Sequence, residues 1–221
     1  MEEQISAHYD SDDLKETLFN ALKGLNKDVS NLSPKDLAPI DQLHTGGAPA
    51  TRSVLELAGI QGGSQILDAG CGTGGSSRLM AVEGGHHVTG IDLAGQFIRA
   101  AEALTESTRL SEQVSFRQGS ILEMPFDADS FDGILCQHVL MNIEDKPAAF
   151  REFLRVLKPG GKLILHEVVK GENEPAVYPV PWAASETISF LESWADTSQW
   201  ILDTGFTSET EVDGTPDARQ W

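Results

Sequence analysis

The stretch Gln65-Ile-Leu-Asp-Ala-Gly-Cys-Gly-Thr-Gly-Gly75 places Gly70, Gly72 and Gly74 directly behind a short apolar run that ends in an acid, Asp68. Glycines at this density let a chain turn tightly and let a ligand approach the backbone where a side chain would intervene. Asp92 follows the next apolar run, where its carboxylate can accept hydrogen bonds from a ribose diol; the plainer reading is a helix cap. A dinucleotide site would set a pyrophosphate over such a turn and the helix N-terminus behind it. Asp68 is a poor neighbour for pyrophosphate and a good one for a ligand carrying an ammonium group. The spacing is Gly-x-Gly-x-Gly-Gly, so the dinucleotide pattern is matched only by Gly70, Gly72 and Gly75.

Those residues need a sheet to hold them. From Gln65 onward short apolar runs alternate with helical spacing: strands at 66–67, 87–91, 114–117, 131–136 and 162–168, and helices running from the glycine turn to Val82, over 94–104 and over 148–157. That alternation predicts an open, mostly parallel sheet with helices on both faces, whose ligands bind outside the carboxyl ends of the strands. Residues 1–50 have another texture. Leu14, Leu18, Phe19 and Leu22 share one helical face. Pro34, Pro39 and Gly46-Gly47 then break the chain into short pieces, and a helix carrying Val54, Leu55 and Leu57 leads into the sheet. We read 1–50 as an N-terminal helical cap and substrate-side segment and 51–221 as the main domain. Beyond the fifth strand the chain offers a Pro- and aromatic-rich stretch, a helix over 190–202, and one further strand over 206–212.

The chain has 221 residues, 40% of them hydrophobic, enough for a core. Thirty-four acidic residues against sixteen Lys and Arg give a net charge of -18, a field that repels nucleic acid and anionic lipid. No apolar run reaches membrane-span length, the start Met-Glu-Glu-Gln does not read as a signal peptide, and Cys71 and Cys136 are too few for a disulfide scaffold. A cytoplasmic setting is therefore expected, and no metal site is read.

Four blocks, Gln65 to Gly75, Gly90-Ile-Asp-Leu93, Gly119-Ser-Ile-Leu-Glu-Met-Pro-Phe126 and Leu157-Lys-Pro-Gly-Gly161, resemble in content and order the class I S-adenosylmethionine-dependent methyltransferases. The resemblance covers about residues 50–212 and implies a Rossmann-like sheet, S-adenosylmethionine as cofactor and S-adenosylhomocysteine as product. It implies Asp68, Gly70 and Gly72 beside the methionine part of the cofactor, Asp92 on the ribose, Leu93 against the adenine, and Ser120 and Ile121 at the adenine ring. Many family members have an acid where this chain has Ser120. Related domains also end in two antiparallel strands, of which this chain supplies only the first. An exposed sheet edge, a homo-oligomer contact covering it, or a shortened chain is the expected consequence.

Methyl transfer from a sulfonium needs alignment and exclusion of water more than side-chain chemistry, and no catalytic triad is readable. The stretches Asp41 to Gly47, Ala50-Thr-Arg52, Gln137 to Lys146 and Tyr178 to Ala183 are similar to sarcosine and dimethylglycine N-methyltransferases, and more distantly to small-molecule C-methyltransferases. They imply a small-molecule acceptor, with Gln137 on the cofactor side and Asn142 on the acceptor side. His44 and His138 are candidates to bind or deprotonate the acceptor, or else fasten loops. Tyr9, Tyr178 and Trp182 are candidates for an aromatic wall around a methylated ammonium, or for lid packing. Arg52 is a candidate partner for a substrate carboxylate, with a surface ion pair as the plainer alternative. The acceptor favoured by resemblance is the nitrogen of sarcosine or dimethylglycine. C- or O-methylation of an apolar metabolite, marked by a pocket without a carboxylate partner, and non-catalytic cofactor binding are the alternatives.

Overall fold

A computed structural model describes Glu2, Ile5 and residues 14–42, 44–171 and 176–219. From Leu14 on, the helices α1 (Leu14–Gly24), α2 (Pro34–Asp41) and α3 (Gly47–Ala58) precede the sheet. The sheet then alternates with helices: β1 (Gln65–Ala69), α4 (Gly75–Gly84), β2 (His87–Asp92), α5 (Gly95–Ser107), β3 (Val114–Gln118), β4 (Phe131–Gln137), α6 (Lys146–Val156) and β5 (Leu157–His166). Helix α7 (Trp194–Thr204) comes after the sheet. The strands pair in parallel in the order β3-β2-β1-β4-β5.

Side-chain alternation splits the sheet between two cores. Leu67, Ala69, Ile134 and Cys136 face α6 and α7, packing with Phe150, Phe153 and Val156 and with Trp200 and Ile201. Ile66, Val88, Leu135 and Ile164 face the other way, toward Met80 of α4 and Val54 and Leu55 of α3. The same period sends Asp68 and Gln137 toward α4, where Ser77 and Ser76 meet them. Helix α1 lays Leu18, Phe19 and Leu22 against Leu37 of α2 and Leu104 of α5, so the N-terminal helices are seated on the sheet domain.

The boundaries show where local chemistry prevailed over apolar spacing. The fifth strand begins at Leu157 rather than 162, because Leu157 already pairs with Phe131 before a register break resumes pairing at Gly133 and Lys162. Helix α7 begins at Trp194 rather than 190, where the Ser193 hydroxyl accepts the Asp196 N–H at 3.0 Å. The strand expected over 206–212 is not formed. In that segment Phe206 packs on the core, while Glu209 pairs with Lys162 at 2.8 Å and Val212 is 70% exposed. An alternating run without an apolar face gains little from joining a sheet. Among the described residues, β5 is therefore an edge strand.

Candidate active site

The carboxyl ends of β1, β2 and β4 open into a cavity of about 270 Å³. Its floor is the glycine turn. Gly70, Gly72 and Gly74 adopt φ of +76°, +51° and +80°, conformations that side chains rarely take. The amides of Gly70 and Cys71 donate to the Ile91 carbonyl at 2.8 and 3.0 Å, which ties the turn to β2. A Cβ at Gly70 would lie 2.3 Å from a Val139 methyl, so the residue is required by packing as well as by its dihedral.

Asp92 is a backbone cap that also reaches the cavity. Its carboxylate accepts the Gly72 N–H and the Ala94 N–H, each at 2.9 Å, linking the turn to the start of α5, and it lines the cavity. Burial raises its pKa despite those bonds. Asp68 is 3% exposed and accepts the Ser77 hydroxyl at 2.5 Å; burial pushes its pKa up to about 6. Leu93, Ser120 and Ile121 line the side of the cavity near Gly119 and Phe97. The Ser120 hydroxyl donates to the carboxylate of Glu2, which also lines the cavity.

Three histidines gather beyond the turn. His44 and His138 line the cavity with ring centroids 6.0 Å apart, and His166, at the end of β5, lies 5.0 Å from His138 and 6.1 Å from His44. Burial lowers His44 to about 4 and His138 to about 3, with neighbouring histidines adding to the effect, so both rings are neutral near pH 7. His138 itself sits at φ +56°. Among the described residues, no group of His, Cys, Asp or Glu side chains could hold a metal ion.

Other expected residues lie elsewhere. Arg52 forms a surface pair with Glu83, donating from Nη2 at 2.8 Å, and does not line the cavity. Tyr178 and Trp182 pack with Ile5, Ala183, Ile188 and Phe190 instead of walling the cavity. Asn142 lines it, yet its amide donates to the Trp182 and Ile188 carbonyls at 3.0 and 2.8 Å, fastening that aromatic segment to the loop after β4. Tyr9 lies outside the described residues.

The sequence reading missed Arg78. It is fully buried, donates to Asp41 and to the Thr73 carbonyl at 2.8 Å and to the Thr105 hydroxyl at 2.9 Å, and so joins α2 to the glycine turn and α5. It also missed Glu167, one residue past β5, although the carboxyl end of a parallel strand is where such residues are sought.

Residues 67–165 match the family model described as a methyltransferase domain. Phosphoethanolamine N-methyltransferase 1 of Arabidopsis thaliana is 32% identical over 171 residues, covering 77% of this chain and 34% of that protein. Residues 67–165 form a class I S-adenosylmethionine-dependent methyltransferase domain. The chain spans about a third of that curated relative's length. A putative sarcosine dimethylglycine methyltransferase from Galdieria sulphuraria shares the fold at TM-score 0.51 and 27% identity, over 53% of this chain and 44% of that one. Phosphoethanolamine N-methyltransferase 2 of Haemonchus contortus, solved with S-adenosyl-L-methionine, superposes at TM-score 0.72 over 82% of this chain and 42% of its own; at 24% identity it speaks for the fold.

The family's cofactor is S-adenosylmethionine, and the cavity's chemistry suits it. Asp41 Oδ1 and Thr73 Oγ1 are buried polar atoms of the lining without hydrogen-bond partners among the described residues. Together with Asp68, which lines the same cavity, they offer acceptors to the ammonium of the cofactor's amino acid end. Asp92, at the opposite end of the turn, offers a carboxylate to a diol.

Proposed function

We propose that this chain transfers the methyl group of S-adenosylmethionine to a small molecule that carries no anionic group at its binding end. One observation carries the choice of acceptor class: none of the sixteen Lys and Arg residues, all of them among the described residues, lines the cavity. Its lining instead contains Glu2, Asp41, Asp68, Asp92, Glu144 and Asp145. An acceptor's carboxylate or phosphate, brought there in addition to the cofactor's own carboxylate, would give up hydration without gaining a cationic side chain as partner. The cation that the sequence offered for a substrate carboxylate, Arg52, is engaged by Glu83 at the surface. The arrangement therefore favours an uncharged or cationic acceptor, its nucleophile a nitrogen, oxygen or carbon, over sarcosine, dimethylglycine or a phosphorylated amine.

When bound, the cofactor supplies an activated methyl on a sulfonium, so the protein need not provide a covalent nucleophile. The glycine turn, Asp68 and Asp92 would hold its amino acid and ribose ends. Leu93, Phe97 and Ile121 supply apolar walls that would receive its adenine end. His44 and His138, neutral through burial, can accept the proton that an amine or hydroxyl releases on methylation.

The test is a mass-based product assay with S-adenosylmethionine and a panel of sarcosine, dimethylglycine, phosphoethanolamine, a neutral tertiary amine and a hydroquinone. Methylated product from the uncharged members supports the reading. Turnover confined to the carboxylate or phosphate members overturns the acceptor class. Cofactor binding without product or S-adenosylhomocysteine from any member favours the non-catalytic alternative.

A further inference from the structure

Two polar side chains, Thr51 and Gln137, connect His44 to His166, and their protons have a determinate direction. The Gly47 carbonyl can only accept, so His44 Nε2, 3.0 Å away, carries the ring proton. Thr51 Oγ1 lies 2.9 Å from the same nitrogen and donates its single proton to Gln137 Oε1 at 3.1 Å. The Ser76 hydroxyl donates to that oxygen at 3.0 Å. With its oxygen receiving two hydroxyl protons, Gln137 presents its amide nitrogen to His166 Nδ1 at 2.8 Å, which therefore accepts and leaves the His166 proton on Nε2. The opposite amide orientation would turn an NH2 toward both hydroxyls and deprive their protons of this acceptor.

We propose that His166 is a positioning residue that, through Gln137 and Thr51, holds His44 as its Nε2–H tautomer and keeps Nδ1 as the proton-accepting nitrogen. The single Nε2 proton is shared between the Gly47 carbonyl and Thr51 Oγ1, and Thr51 is an acceptor for it only while Gln137 keeps its oxygen toward Thr51. Without the His166 acceptor the Gln137 amide is free to rotate, and the Thr51 proton can turn to His44 Nε2 and favour the other tautomer. Burial keeps the His44 ring neutral, so one nitrogen always lacks a proton. The catalytic consequence rests on the acceptor-side role of His44 proposed above. The tautomer itself is a property of the protein alone.

The experiment is nitrogen NMR of ring-labelled histidine in the full chain without cofactor, with signals assigned by single His44→Gln and His166→Asn variants. The expected wild-type pattern is Nε2–H at both His44 and His166. His166→Phe should turn His44 into a mixture of tautomers and lower kcat about tenfold, the effect of one misdirected hydrogen bond, with cofactor affinity unchanged. His166→Asn, whose side-chain oxygen can accept from Gln137, should restore both. If His166→Phe does not fold, Gln137→Met cuts the same chain at its next link. A wild-type His44 protonated on Nδ1, or a His44 signal indifferent to both cuts, overturns the inference. The expected tautomers without turnover of any acceptor would count against the methyl-transfer reading and leave the relay standing.

Discussion

The Glu167 carboxylate accepts the backbone N–H of Val139 at 3.1 Å to each oxygen, one residue beyond His138. It also accepts the Leu140 N–H at 3.1 Å and the Cys136 thiol at 3.3 Å. A single half-buried acid just past the end of β5 therefore supports the loop that carries His138 in its left-handed conformation. Val139 in turn packs where a Gly70 side chain would stand, so the loop after β4 and the glycine turn share one support.

Burial pushes Glu167 up to about 8, above its ordinary 4.5. A folded-state pKa above the unfolded one means that the group's contribution to stability is complete below about pH 4.5 and is lost as pH rises through 8. Asp68, raised from 3.8 to about 6, acts in the same direction over a lower window. Glu167→Gln should flatten the alkaline decline in urea-melt stability. It should also cost about 1–3 kcal/mol, because an amide cannot accept all the N–H groups that face it. A variant with the wild-type pH slope would show that Glu167 is not the titrating group.

His138→Asn keeps a residue tolerant of positive φ and removes the imidazole. If the ring takes the acceptor's proton, kcat should fall by about a hundredfold or more while cofactor affinity, measured by calorimetry, stays the same. His44 and His138 lie near 4 and 3, below the ordinary 6.5, so each contributes stability above pH 6.5 that is lost as pH falls toward its folded value. The variant should lose part of that acid sensitivity. Equal loss of cofactor affinity and turnover would move His138 to the cofactor side.

Gly70→Ala combines a backbone strain at φ +76° with a 2.3 Å approach to Val139. The expected cost is about 1–3 kcal/mol in thermal unfolding, together with weakened cofactor binding. Val139→Ala in the same chain should recover the packing part of the loss and leave the dihedral part. Full additivity of the two single changes would show that the contact is not made.

Asp92→Ala removes the acceptor of the Gly72 and Ala94 amides as well as the proposed ribose partner. Cofactor affinity should fall about tenfold to a hundredfold, as expected for losing hydrogen bonds to a charged group, and thermal stability should drop with it. Lower stability with unchanged affinity would reduce Asp92 to a cap that organises the turn.

Much of this was legible along the chain because its causes are local. Apolar spacing marked the sheet and its flanking helices, glycine density marked the turn, and Asp68 and Asp92 stood at strand ends, where a parallel sheet presents ligand-binding groups. Charge composition was equally readable, and it argued against nucleic acid before any fold was known. What the chain could not reveal were pairings between distant residues. Whether Arg52 faces a ligand or Glu83 depends on how α3 sits beside α4, and whether Tyr178 and Trp182 wall the cavity or pack behind it depends on Ile5 and Asn142. Arg78 gains its partners only when α2 and α5 close over the turn, and His166 meets Gln137 only because β4 and β5 are in register. Hydrogen bonds and desolvation are set by what lies within a few ångströms in space, and that is decided by tertiary packing.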